Sequence, residues 1–104
     1  MIQVAFFKDA DGTLRGYSFS GHSDYAELGS DIVCAAVSSA AYLTANTITD
    51  IMGLSADISV EDGFMDLRLS REHAERAQEL LRGLELHVEA LSEQYSDDIQ
   101  IREV

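Results

Sequence analysis

The chain is poor in cations and in cysteine, and the apolar run at its N-terminus is short. Seven Lys and Arg stand against nineteen Asp and Glu among 104 residues, a net charge of −12. A phosphate backbone is repelled by such a field, so direct nucleic-acid binding is not expected. A basic polypeptide suits it better, and solubility alone also accounts for the acidity. The single cysteine, Cys34, excludes an intramolecular disulfide and agrees with a reducing compartment. One cysteine and three histidines offer no zinc-type cluster, and His73 and His87 are too far apart for an i, i+4 metal pair. We expect no metal or other cofactor, and assign both histidines to a solvated helix face. The apolar run at the N-terminus ends at Lys8 with no basic segment before it, so neither a signal peptide nor a membrane span is expected. The expected location is the cytoplasm.

What remains is an ordinary globular balance, 46% hydrophobic and 25% charged, in a length that fits one domain over residues 1–104. No linker, low-complexity tract or residue-level repeat divides it. Ile2, Val4 and Phe6 alternate with Gln3, Ala5 and Phe7, then Asp9-Ala10-Asp11-Gly12 turns the chain into a second extended run, Leu14–Ser20. From 31 to about 52, Val33, Ala36, Val37, Ala40, Leu43, Thr44, Ile48 and Ile51 recur at steps of three and four, with Gly53 placed as a C′ glycine. A second hairpin follows: Ala56, Ile58 and Val60 line one strand, Glu61-Asp62-Gly63 turns, and Met65, Leu67 and Leu69 line the other. Burial of one face is expected to set its register. After a Ser70 N-cap, residues 71–95 carry one apolar stripe, Ala74, Ala77, Leu81, Leu84, Val88, Leu91 and Tyr95. Ile99 to Arg102 closes the chain as a short strand. The order ββαββαβ predicts an α+β, two-layer domain with a mostly antiparallel or mixed sheet packed against two helices.

The chemistry-bearing stretch joins the first hairpin to the first helix. A thiolate attacks carbonyls far better than a thiol, so a catalytic cysteine needs surroundings that favour its anion. With Ser30 or Asp31 as N-cap, Cys34 falls in the first helical turn, where unpaired N–H groups and the positive dipole end favour negative charge and could receive an oxyanion. His22 lies twelve residues upstream, in a loop with Gly21 and Gly29 near its ends, within reach of the helix start as a base. Cys34, Ser38, Ala41 and Ala45 form a small-residue stripe that we expect to be rotated away from Val33, Val37, Ala40 and Leu43, open to a substrate backbone. A lone cysteine in an alanine-rich helix is more often an inert buried hydrophobe, and spacing alone does not exclude that.

Gly21-His22 followed by Tyr25-Ala26, and then Gly29-Ser30-Asp31-Ile32-Val33-Cys34-Ala35-Ala36-Val37-Ser38, resembles the GHA-x-Y and G-x-DIVCAAVS signatures of the ribosomal-processing cysteine protease family called Prp, also known as YsxB-like proteins. The element order is similar as well. The resemblance implies a bacterial homodimeric endopeptidase that removes an N-terminal extension, ending in an apolar segment, from the precursor of a basic large-subunit ribosomal protein, number twenty-seven of the bacterial series. Cys34 takes the nucleophile position in that pattern and His22 that of the base. Asp31 matches the acidic position before the nucleophile, capping the helix or orienting His22. Ser38 matches a small polar position lining the substrate groove. Ser23 and Asp24 depart from the family pattern beside His22. A second reading, from a different class, is a non-catalytic dimeric adaptor that binds a protein segment through the same loop and helix face.

Overall fold

The computed structural model describes the backbone of residues 1–21 and 28–104, and the side chains of residues 1–21 and 32–104. Strands β1 (Ile2–Lys8) and β2 (Leu14–Ser20) lead into helix α1 (Leu28–Asn46), which one π turn extends over Thr47–Ile51. Then come β3 (Asp57–Glu61), β4 (Phe64–Arg68), α2 (Arg71–Arg76), α3 (Gln78–Gln94) and β5 (Ile99–Glu103). The strands make one mixed sheet in the order β3-β4-β2-β1-β5, antiparallel except where β5 lies parallel to β1.

The register puts the apolar alternation on one face. Val4, Phe19, Met65 and Val60 share one cross-strand row, and Phe6, Tyr17, Leu67 and Ile58 share the next. In both rows the first three residues are buried in the core with Ile2 and Ile99, and the helices pack over them. On the opposite face Gln3, Ser18 and Asp66 meet solvent, and Arg68 lies over the Phe7 ring at 4.0 Å, a cation–π contact across side-chain-free Gly16. The two-layer α+β arrangement is therefore the one the pattern predicted.

Four local expectations change. The second helix is broken at Ala77, which brings Gln78 onto the start of β2: its amide donates to the Leu14 carbonyl at 2.7 Å and its oxygen accepts from the Leu14 N–H at 3.0 Å. On α1, Ala41 and Ala45 belong to the core with Val33, Val37 and Ile48, whereas Leu43 is 67% exposed. The small residues are the buried ones because Tyr17 fills the space beneath the helix. In the second hairpin only β4 is buried; β3 is an edge strand, exposed along its length. His73 is half-buried, with Nδ1 3.2 Å from the Ser55 carbonyl, while His87 is exposed as expected.

The hairpin ends are tied down by polar contacts. Ser70 caps α2, its hydroxyl accepting from the His73 N–H at 3.3 Å. Arg71 donates to Asp9 at 2.9 Å and Asp11 at 2.7 Å, and with the Thr13 N–H it holds the Asp11 carboxyl well below the usual carboxylate range. The sequence Ile32–Ile51 is long and apolar enough to cross a membrane; Val33, Val37, Ala41, Ala45 and Ile48 pack in the core, while Ile32, Leu43 and Ile51 are exposed.

Tyr17 carries the placement of α1. Its ring is buried, and its hydroxyl donates to the Ala41 carbonyl at 2.7 Å. Burial pushes the phenol above its ordinary value of 10.0, so the neutral form is the one the fold holds. That stability is complete below about pH 10 and is lost as pH rises further. Tyr17→Phe is expected to cost about 1 kcal/mol in urea unfolding at neutral pH. The variant is also expected to lose much of the wild-type fall in stability above pH 10, as followed by stability measurements across alkaline pH.

Candidate active site

Two contacts fix how α1 crosses the sheet. The Tyr17 hydroxyl meets Ala41, and the Phe19 ring meets the edge of Tyr42 with centroids 6.5 Å apart. Gly21, just past the end of β2, lines the same cleft as Cys34, so that end of β2 lies beside the earlier turns of α1. The helix flank that carries Cys34, Ser38 and Tyr42, at steps of four, faces the β2–β4–β3 side of the sheet. Between them lies a cleft of about 340 Å³. Its helix wall is Cys34, Ala35, Ser38 and Tyr42; Phe19 and Gly21 come from the end of β2; Glu61, Asp62, Gly63 and Phe64 come from the β3–β4 turn.

Cys34 is half-buried: it packs against the core on one side and opens to the cleft on the other. At about 1.5 Å of rise per residue, Tyr42 stands about 12 Å farther along the cleft, the span of three to four extended residues. Gly21 closes the near end. Its φ of +91° suits glycine, its N–H donates to the Gly63 carbonyl at 3.0 Å, and a Cβ there would sit 2.5 Å from the Met1 carbonyl oxygen. Glu61 and Asp62 line the rim opposite the helix.

Of the residues singled out from the sequence, Cys34, Ser38 and Gly21 thus meet in one cleft. His22 and the side chain of Asp31 lie outside the described residues. The position of Cys34 within α1 differs from expectation. The helix begins at Leu28, so Ser30 and Asp31 are inside it rather than at its N-cap, and Cys34 is in the second turn. Its N–H falls beyond the orphan amides of the first turn, and the dipole's influence is largely spent there. A base, rather than the helix terminus, is what thiol chemistry at Cys34 requires.

Tyr42, Phe19 and the β3–β4 turn were not anticipated at the site. The turn residues were legible as a turn; their nearness to Cys34 comes from β4 pairing with β2, which no local pattern announces. A larger groove of about 620 Å³ lies on the other flank of α1, where Ala36, Ala40 and Leu43 face Leu80, Leu84 and Leu91 of α3. Its walls are mostly apolar, with Ser39, Thr44, Glu79 and His87 among them, and Cys34 is not one of its lining residues. Among the described residues no three His, Cys, Asp or Glu side chains gather as a metal site would require.

A family model described as cysteine protease Prp matches residues 1–100. The ribosomal processing cysteine protease Prp of Bacillus subtilis is 26% identical over 107 residues, covering 97% of this chain and 96% of the relative. The Staphylococcus aureus enzyme is 27% identical over 103 residues, with 97% of each chain covered. In crystal structures the S. aureus protease in complex with a substrate peptide matches with a TM-score of 0.90 at 25% identity, covering 100% of both chains. The form with a covalently linked product peptide matches at 0.87 and 26%, with the same coverage.

Gly21→Ala is expected to strain both the positive φ and the Met1 carbonyl contact, at about 1–2 kcal/mol from the backbone alone. The check is thermal unfolding, with a fall in Tm of at least several degrees.

Proposed function

Because the chain belongs to the Prp family of cysteine proteases, we propose that it removes the N-terminal extension from the precursor of large-subunit ribosomal protein twenty-seven, with Cys34 as nucleophile and His22 as base. The observation that carries this reading is a half-buried thiol opening onto a cleft long enough for an extended peptide. His22 takes the Cys34 proton as sulfur attacks the scissile carbonyl, then gives it to the leaving amine. An acyl-enzyme remains on Sγ. Water, deprotonated by His22, attacks the acyl carbon and releases the new carboxyl end. In this reading Gly21 shapes the near end of the cleft, Ser38 lines the groove one helical turn beyond the nucleophile, and Asp31 orients His22.

The reaction belongs in the cytoplasm, where a reduced thiol persists. The partner is a basic precursor whose charge opposes the net −12 of this chain. We also propose a homodimer, in which the groove between α1 and α3 meets its copy; Leu43, 67% exposed at its edge, supports an apolar contact there. Leu43→Glu is expected to shift the protein from dimer to monomer in sedimentation velocity. An unchanged sedimentation coefficient contradicts this surface.

The test of function is cleavage of the full-length precursor, read by intact mass. Wild-type protein is expected to release the extension. Cys34→Ala should lose about 10³-fold or more of the rate, and His22→Ala about 10²–10⁴-fold, with the fold retained in both. Full cleavage by Cys34→Ala eliminates the nucleophile. Binding of the precursor with no cleavage by the wild type would instead describe the adaptor.

A further inference from the structure

Ile58 and Val60 break the burial rule of their own sheet face. By register Val60 continues the row of Phe19 and Met65, and Ile58 that of Tyr17 and Leu67. Those four neighbours are 0–6% exposed, whereas Val60 is 49% and Ile58 is 39% exposed. The helices stop short of the edge, so among the described residues these two β-branched side chains stay half-exposed on the core-facing side. This shelf is continuous with the Cys34 cleft. The Val60 row leads through Met65 to Phe19, which lines that cleft.

We propose that Val60 and Ile58 are specificity-determining residues that receive apolar side chains of the substrate at alternating positions on one side of the scissile bond. The inference rests on the proteolytic reading above. Cys34 shares its cleft with Gly21 and Gly63, at the end of the sheet where these two are hydrogen-bonded. From there the Val60 row is two residues along β2, about 7 Å, and the Ile58 row is four, about 13 Å. An extended peptide advances by the same step and points every second side chain to the same side. With its scissile carbonyl at Cys34, residues two and four positions away come to lie over Val60 and Ile58. Such a peptide runs between the Cys34–Ser38–Tyr42 flank of α1 and the shelf, covering both apolar side chains. The occupant is the substrate because the shelf is an extension of the cleft wall rather than a separate patch.

The experiment compares two pairs of cleavable peptides built on the precursor's processing site. Within a pair the peptides carry Leu or Ser at the second and fourth positions from the scissile bond, on its N-terminal side in one pair and its C-terminal side in the other. Wild-type protein is expected to prefer Leu by about tenfold or more in kcat/KM, mostly through KM, in one pair only. The Val60→Thr/Ile58→Thr double variant keeps β-branching on the edge strand and is expected to lose that preference, cleaving the Leu and Ser peptides of that pair with similar kcat/KM. An unchanged preference in the double variant overturns the proposal, as does no preference in either pair. So does a shift of the variant's sedimentation coefficient with peptide preference intact, which would make the shelf an interface between copies. If the wild type cleaves none of these peptides, the proteolytic reading fails separately. Binding of the same peptides to Cys34→Ala, followed by fluorescence anisotropy, then decides the shelf: preference for Leu abolished by the two threonines supports it, and equal affinities overturn it.

Discussion

A buried phenol under a helix is the constraint on which the rest of this structure depends. Tyr17 is sealed in the core and its hydroxyl must find an acceptor, which is the Ala41 carbonyl of α1. A ring of that size beneath a helix demands small or β-branched residues above it, and Val33, Val37, Ala41 and Ala45 supply them. The helix is thereby held close over β2 in one rotation. With that side fixed, Cys34, Ser38 and Tyr42 can only occupy the flank toward β4 and β3, and Ala36, Ala40 and Leu43 the flank toward α3. The Cys34 thiol and the mostly apolar groove are on two sides of one helix, positioned by one hydrogen bond and the packing around it.

The sheet supplies the second half of the site through its incompleteness. Its helical layer covers five strands unevenly, leaving β3 bare on the face where its neighbours are buried. An edge strand of this kind is ordinarily a liability, blunted here by short length and by Asp57 and Glu61. The same bareness opens a trough between α1 and the β3–β4 hairpin. Cys34 lies at one end, a tyrosine about two turns farther along the helix, and the β3–β4 turn with Glu61 and Asp62 forms the opposite rim. A peptide in extended form is what such a trough accommodates, and a cysteine protease is what the family relationship makes of it.

Much of this was legible in the residues. Period-two alternation in β1 and β2, the glycine-marked turns, the Ser70 cap and the stripe of α3 all reflect local rules, and all recur in the structure. The motif around Cys34 identified the family because its residues are contiguous. Errors arose where a distant contact decides. Leu43 looked like core and Ala41 like an open stripe, since nothing in the helix reveals that Tyr17 lies under it. The residue pattern starts α1 at 31, three residues past its first residue, and so places Cys34 in a turn it does not occupy. The β3–β4 turn was read only as a turn, because its place beside Cys34 follows from strand order.

The central claim is that Cys34 is an activated nucleophile in a peptide-binding cleft, and one measurement addresses both parts of it. A peptide ending at the processing site in a chloromethyl ketone is reacted with the folded protein and with the urea-unfolded chain, and adduct formation is followed by intact mass. The account predicts one adduct per chain, on Cys34, forming faster in the folded protein and with a rate that saturates as reagent rises. A rate linear in reagent and no faster than that of the unfolded chain contradicts it.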